Sequence, residues 1–203
     1  MEGILFILDR GHGSDTNGKS SPDGSFKEWE YSQKTINELK RGLDDLGISW
    51  AETVTTDKDV FLTERVRIAN ELSKDVKHPI LLSLHNNAGG GTGNELFVKR
   101  EPTQEIKDIA NLFCKQMIED FPEIRWRRSV PNIDYKEANF TIIGGNLKIK
   151  PEYIGLLPEF LFMDNENDLK LLKDEKVFNR YVSCLLSACL RVCNYYKLTN
   201  FIV

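Results

Sequence analysis

Apolar and polar positions alternate along this chain with two different periods. Ile4 to Asp9 is a continuous apolar run ended by a glycine-rich turn, the pattern of a strand covered on both faces. Phe26 to Leu46 carries Trp29, Ile36, Leu39, Leu43 and Leu46 at helical spacing, and Gly47 supplies a stop. Ile48 to Val54 alternates as a strand does, and Phe61 to Leu72 predicts a second helix. Ile80 to His85 reads as another fully buried strand, followed by a shorter one at Glu95 to Val98. Thr103 to Ile118 places Ile106, Ile109, Ala110, Phe113 and Met117 on one helical face. Tyr153 to Phe162 contains a further apolar run, and Lys176 to Tyr196 predicts a long C-terminal helix. The stretch from Phe121 to Lys150 fits neither period. It reads as an irregular excursion with one short strand near Phe140 to Ile143.

Strands that alternate with helices predict an α/β fold, a mostly parallel twisted sheet with helices on both faces. The 203 residues suit one domain spanning 1–203, and no linker or internal repeat marks a second.

Composition narrows the function classes. Hydrophobic residues make up 40% and charged residues 29%, with a formal net charge of -4. That balance lacks the basic excess of a nucleic-acid binder. No apolar stretch approaches the roughly 20 residues of an integral membrane segment. Met1-Glu2-Gly3 ahead of Ile4-Leu5-Phe6-Ile7-Leu8 has neither a basic leader nor a small-residue cleavage site, so no secretory signal is expected. Cys114, Cys184, Cys189 and Cys193 fit neither a zinc knuckle nor a disulfide scaffold and read as buried free thiols. Gly89-Gly90-Gly91-Thr92-Gly93 lacks the lysine of a phosphate-binding loop and reads as a segment free to move over a substrate.

Candidate chemistry gathers at the ends of three apolar runs, which lead to His12, to His85 and to Glu159. On neighbouring parallel strands these residues would meet at one sheet edge, where open α/β proteins build their sites. Gly11 and Gly13 let the backbone turn sharply around His12. Glu28 and Glu30 both open the first long helix and compete as a third ligand. Residues two apart point about 200° apart on a helix, so one alone can serve. Two imidazoles and a carboxylate leave a fourth tetrahedral position open, as in catalytic Zn2+ sites. Glu159, held off the ion, is the candidate general base. His78, before Pro79, reads as a loop residue without a role. Arg125, Arg127 and Arg128 read as solvated charge or, alternatively, as a contact to a substrate carboxylate.

Several of these segments, taken in order, resemble the zinc-dependent N-acetylmuramoyl-L-alanine amidases of the type 3 class. They are Leu8-Asp9-Arg10-Gly11-His12-Gly13, Lys27-Glu28, Leu62-Thr63-Glu64-Arg65 with Ala69-Asn70, Ser83-Leu84-His85-Asn86-Asn87-Ala88, and Glu159 with Phe162 and Asn165. The resemblance implies zinc on His12, Glu28 and His85, and so favours Glu28 over Glu30. It implies Glu159 as the catalytic residue and the bond between N-acetylmuramic acid and L-alanine of the stem peptide as the one cut. Arg65, Asn70 and Asn87 lie in matched segments and are candidate substrate-binding residues. Arg10 stands where the family often has Pro or Ala, so the groove beside the metal is expected to differ. The implied partner is peptidoglycan, met by a monomer made in the cytoplasm and acting on the wall after release or export. A phage or prophage lysis enzyme (an endolysin) is the expected setting, with host wall remodelling as the alternative. A non-catalytic wall-binding module on the same fold, or a zinc peptidase of other specificity, are the competing readings. The peptidase lacks a His-Glu-x-x-His helix.

Overall fold

A computed structural model describes residues 3–145 and 149–199. Six strands span Ile4–Arg10 (β1), Trp50–Glu52 (β2), His78–Asn87 (β3), Glu95–Lys99 (β4), Lys136–Ala138 (β5) and Ile154–Phe162 (β6). They form one sheet in the order β2-β1-β3-β6-β4-β5. Helices span Glu28–Asp45 (α1), Leu62–Ser73 (α2), Gln104–Asp120 (α3), Glu166–Leu172 (α4) and Glu175–Thr199 (α5).

β1, β2, β3 and β6 are parallel, as the alternating pattern predicts. β4 runs antiparallel to β6. The cause is the short connection after β3: residues 88–94 are too few for a crossover, so the chain returns along the sheet edge it has just left. That return brings Glu95, the first residue of β4, to the same edge as the ends of β3 and β6.

Both faces of the sheet are covered. Ile4, Phe6 and Leu8 join the large core formed with α1, α3 and α5, while Leu5 and Ile7 face Val66 and Ala69 of α2. Strands buried on two sides need apolar residues at every position, which explains their unbroken runs. α1 stops where Gly47 takes φ +64, a left-handed value that glycine adopts without steric cost. The four cysteines are buried, and burial pushes each thiol's pKa up. Among the described residues no helix is long and apolar enough to cross a membrane.

β6 carries a bulge beside the sheet edge. His85 lies opposite Glu159 but Asn87 opposite Phe162, so β6 holds one residue more than β3 over this interval. Leu161 absorbs it with φ +60, a conformation that costs a non-glycine residue roughly 1–2 kcal/mol. Buried side chains hold it there. Asn94 Oδ1 accepts from the Leu161 amide at 3.1 Å, Asn86 Nδ2 donates to the Phe160 carbonyl at 2.6 Å, and Asp168 accepts from the Phe162 amide at 2.9 Å.

Several expectations need correction. Thr141–Ile143 is a 3-10 turn, not a strand, and Ile142 and Ile143 pack against α2. The strand of this region is β5, a little earlier, and residues 146–148 of the excursion lie outside the described residues. His78 opens β3 instead of lying in a loop, with its ring stacked 3.8 Å from that of Tyr196. The glycine-rich segment is tied down by hydrogen bonds in this structure. Asp164 accepts from the amides of Gly89 and Gly90, and Asp168 accepts from the Gly93 amide and the Thr92 hydroxyl. A Cβ on Gly91 would fall 2.5 Å from the Phe162 ring. Arg10 is buried, with Gln33 and the Thr56 carbonyl as partners, so it shapes no groove.

Asn94→Ala leaves the Leu161 amide buried without an acceptor. It should cost about 1–3 kcal/mol, read as a lowered midpoint in denaturant unfolding. An unchanged midpoint would show that the bulge does not depend on this bond.

Candidate metal centre

The parallel register decides which side chains share the edge. Gly11 comes directly after the end of β1, His85 lies on β3, Glu159 is opposite His85 on β6, and Glu95 is opposite Glu159 on β4. Paired positions on adjacent strands face the same side, which here is the side of α2.

His12 lies just beyond β1 with φ +63. A non-glycine residue held there points to a local demand strong enough to offset the strain. Its neighbours show the demand. A Cβ on Gly11 would lie 2.5 Å from His85 Cε1, and one on Gly13 would lie 2.1 Å from the Asp59 amide nitrogen. Only glycines let the loop pass this close. Arg65, 2% exposed, braces the same loop. Its guanidinium donates to the carbonyls of Arg10, His12 and Val60 and pairs with Asp9 at 3.1 Å and Asp59 at 2.6 Å.

Glu28, the first residue of α1, is 1% exposed. Its Oε1 lies 2.9 Å from His85 Nδ1 and accepts from the Asn86 amide at 3.1 Å. Its Oε2 lies 3.5 Å from His12 Nε2 and has no hydrogen bond. Ligand atoms of His12, Glu28 and His85 all lie within 4.8 Å of one another. Glu30 points outward and pairs with Lys27, so the geometry selects Glu28.

The donor set suits a small divalent cation. Burial brings the His12 pKa down to about 4, leaving a neutral ring with a free lone pair at pH 7. Burial works against the Glu28 charge, but the hydrogen bond from His85 holds the carboxyl below its ordinary range. For His85, burial is outweighed by the Glu28 hydrogen bond and the Glu159 charge, and its pKa rises. His85 Nδ1 and Glu28 Oε1, 2.9 Å apart, are both atoms that would ligate a cation, and metal binding releases protons from such ligands. The other His85 nitrogen, Nε2, lies 3.2 Å from Ser83 Oγ, which donates to Asp9 at 2.7 Å. Partners of this kind fix the tautomer and the ring plane of a ligand histidine.

Glu159 is half-buried beside this cluster. Burial, then the charges of Glu28 and Glu95 working against His85 and Lys19, raises its pKa to about 7. Its Oε2 is buried without a partner. Cavities of about 640 and 310 Å3 open onto the histidines. Their apolar wall is Phe61, Leu62 and Phe140, with Phe61 87% exposed.

The other candidates hold internal partners. Asn70 bonds the Lys150 carbonyl and the Glu152 amide, and Asn87 bonds Glu95 and the Ala88 amide. Neither lines the two cavities. Arg127 pairs with Glu95 at 3.1 Å over the Phe162 ring, and Arg128 pairs with Asp134. The sequence reading gave no role to Asp9, Ser83 or Glu95, although Asp9 and Ser83 stand in the segments that resemble the family. Ser83 is two residues before His85 on one strand, so it shares its face, and this spacing was the available signal for it.

A family model described as N-acetylmuramoyl-L-alanine amidase matches residues 6–189. N-acetylmuramoyl-L-alanine amidase CwlM of Bacillus licheniformis is 30% identical over 175 residues, covering 84% of this chain. The chain spans 61% of that relative's length. The solved catalytic domain of CwlV, an N-acetylmuramoyl-L-alanine amidase from Bacillus (Paenibacillus) polymyxa var. colistinus, superposes with a TM-score of 0.78 at 19% identity, covering 96% of this chain and 99% of that one. An N-acetylmuramoyl-L-alanine amidase from Clostridium difficile 630 gives 0.79 at 20%, covering 96% and 98%.

A carboxyl whose pKa is raised to about 7 by folding binds more protons folded than unfolded between about pH 4.5 and 7. Stability therefore falls as pH rises through that window, by roughly 3 kcal/mol at most. Glu159→Gln removes the effect. In chelator-treated protein the variant should gain more stability over the parent at pH 8 than at pH 5. An equal difference at both values would show that the Glu159 pKa is not raised.

Proposed function

The chain belongs to the N-acetylmuramoyl-L-alanine amidase family, and on that premise we propose that it is a zinc-dependent peptidoglycan hydrolase. The bond cut joins the lactyl group of N-acetylmuramic acid to L-alanine of the stem peptide. The observation that carries this reading is the buried, unpartnered Glu28 Oε2 facing His12 Nε2, with Glu159 alongside. His12, Glu28 and His85 would hold the ion. When bound, zinc supplies a Lewis acid that acidifies water and polarises a carbonyl.

The protein's own groups do the rest. The Ser83–Asp9 pair keeps the His85 ring oriented, and Arg65 keeps the His12 loop in place. Glu159 is suited to both proton transfers. With a pKa near 7 it accepts a proton from the attacking water at neutral pH and returns it to the departing alanine amine. The Phe61, Leu62 and Phe140 wall offers an exposed apolar surface beside the metal site for the substrate to pack on. A non-catalytic wall-binding module would need none of this carboxylate tuning. The substrate lies outside the membrane, so we place the activity at the wall, reached after release or export.

Digestion of purified peptidoglycan should yield new free L-alanine amino termini with intact glycan strands, read by mass analysis. New reducing sugar ends instead would reject the bond assignment. Glu159→Ala should retain one zinc per chain and lose activity by about 10²–10⁴-fold; near-full activity would remove the proposed base. His85→Ala should fail to retain stoichiometric zinc through dialysis, and a variant that keeps it would show the ligand set to be different.

A further inference from the structure

Among the described residues, two cationic side chains line the cavities at the metal centre, and they differ in kind. Arg65 is buried and fully engaged with Asp9, Asp59 and three backbone carbonyls. Lys19 is half-buried on the loop between β1 and α1, and its ammonium has neither a hydrogen bond nor an ion pair among the described residues. It lines the 310 Å3 cavity together with His12, His85 and Glu159. It also lines a polar hollow of about 290 Å3 with Asn17, Ser20 and Trp29, and so stands where the two meet. Its charge acts on His12, Glu28 and Glu159.

An unpaired ammonium beside the apolar Leu62, Phe140 and Leu157 side chains is a strong binding element for an anion, because the screening by water is weaker there. Among the described residues, Glu159 is the one carboxylate that lines this cavity, and Lys19 is the one cationic side chain that does. The substrate's chemistry indicates which anion. The lactyl carboxyl is consumed in the scissile amide, so the glycan side offers no free carboxylate at the bond. The nearest one belongs to the stem peptide, beyond the alanine. We propose that Lys19 is a substrate-binding residue that pairs with this stem-peptide carboxylate and sets a preference for stems in which it is free and not amidated. This role for Lys19 rests on the amidase reading.

The test uses the zinc-loaded protein and two muramoyl peptides that differ only in carrying a carboxylate or a carboxamide on the residue after alanine. The parent should favour the carboxylate form. Lys19→Gln should lose about 10- to 100-fold in kcat/KM on that form, mainly through KM, and change little on the carboxamide. Lys19→Arg should retain most of the preference. An equal loss on both substrates, or no loss on either, would overturn the assignment. Calorimetric binding of the same two compounds to Glu159→Gln, with and without Lys19→Gln, separates this from a failure of the amidase reading. If the parent cleaves neither compound, the activity falls. Selective carboxylate binding that disappears with Lys19→Gln would still support the role of Lys19, and its absence would reject it.

Discussion

A charged carboxylate placed where water scarcely reaches must find compensation, and Glu28 is that carboxylate. One oxygen meets His85 and the Asn86 amide; the other faces His12. Most of the local sequence answers to this need. Gly11 is small so that the loop can pass the His85 ring, and His12 accepts a left-handed backbone so that its ring can turn inward. Arg65 anchors the loop on two acids, and Ser83 links the far side of His85 to Asp9.

The same edge holds three glutamates in three environments. Glu28 stays ionised among nitrogen donors. Glu159, with burial and two acids against it, has its pKa raised to about 7. Glu95 sits on the strand beside Glu159 and is neutralised by Arg127 and Lys136. The protonation behaviour of each comes from its neighbours, the means by which a single residue type takes three different states at one edge.

Much of this was legible in the sequence because strands buried on both faces leave continuous apolar runs, and the residues at the C-terminal end of each run land at a common edge. Periodicity alone left Glu28 and Glu30 open, since it fixes their separation around the helix but not which one turns toward the sheet; the family resemblance of Lys27-Glu28 favoured Glu28. Lys136–Ala138 was unreadable as a strand: it is three residues long, has no apolar alternation, and owes its conformation to pairing with β4. Phe140 to Ile143 misled for the opposite reason, being apolar because a 3-10 turn packs on α2. The glycine-rich segment is held by Asp164 and Asp168, some 75 residues downstream, beyond the reach of any local pattern. Arg65 and Asn70 became candidates because they lie in segments that resemble the family; the partners the structure gives them lie within the protein.

The four cysteines have a wider consequence. Each thiol is enclosed in the core and held in its protonated, unreactive form. An oxidant added to the folded chain would therefore meet no exposed thiol to cross-link or glutathionylate, whatever the redox state of its surroundings.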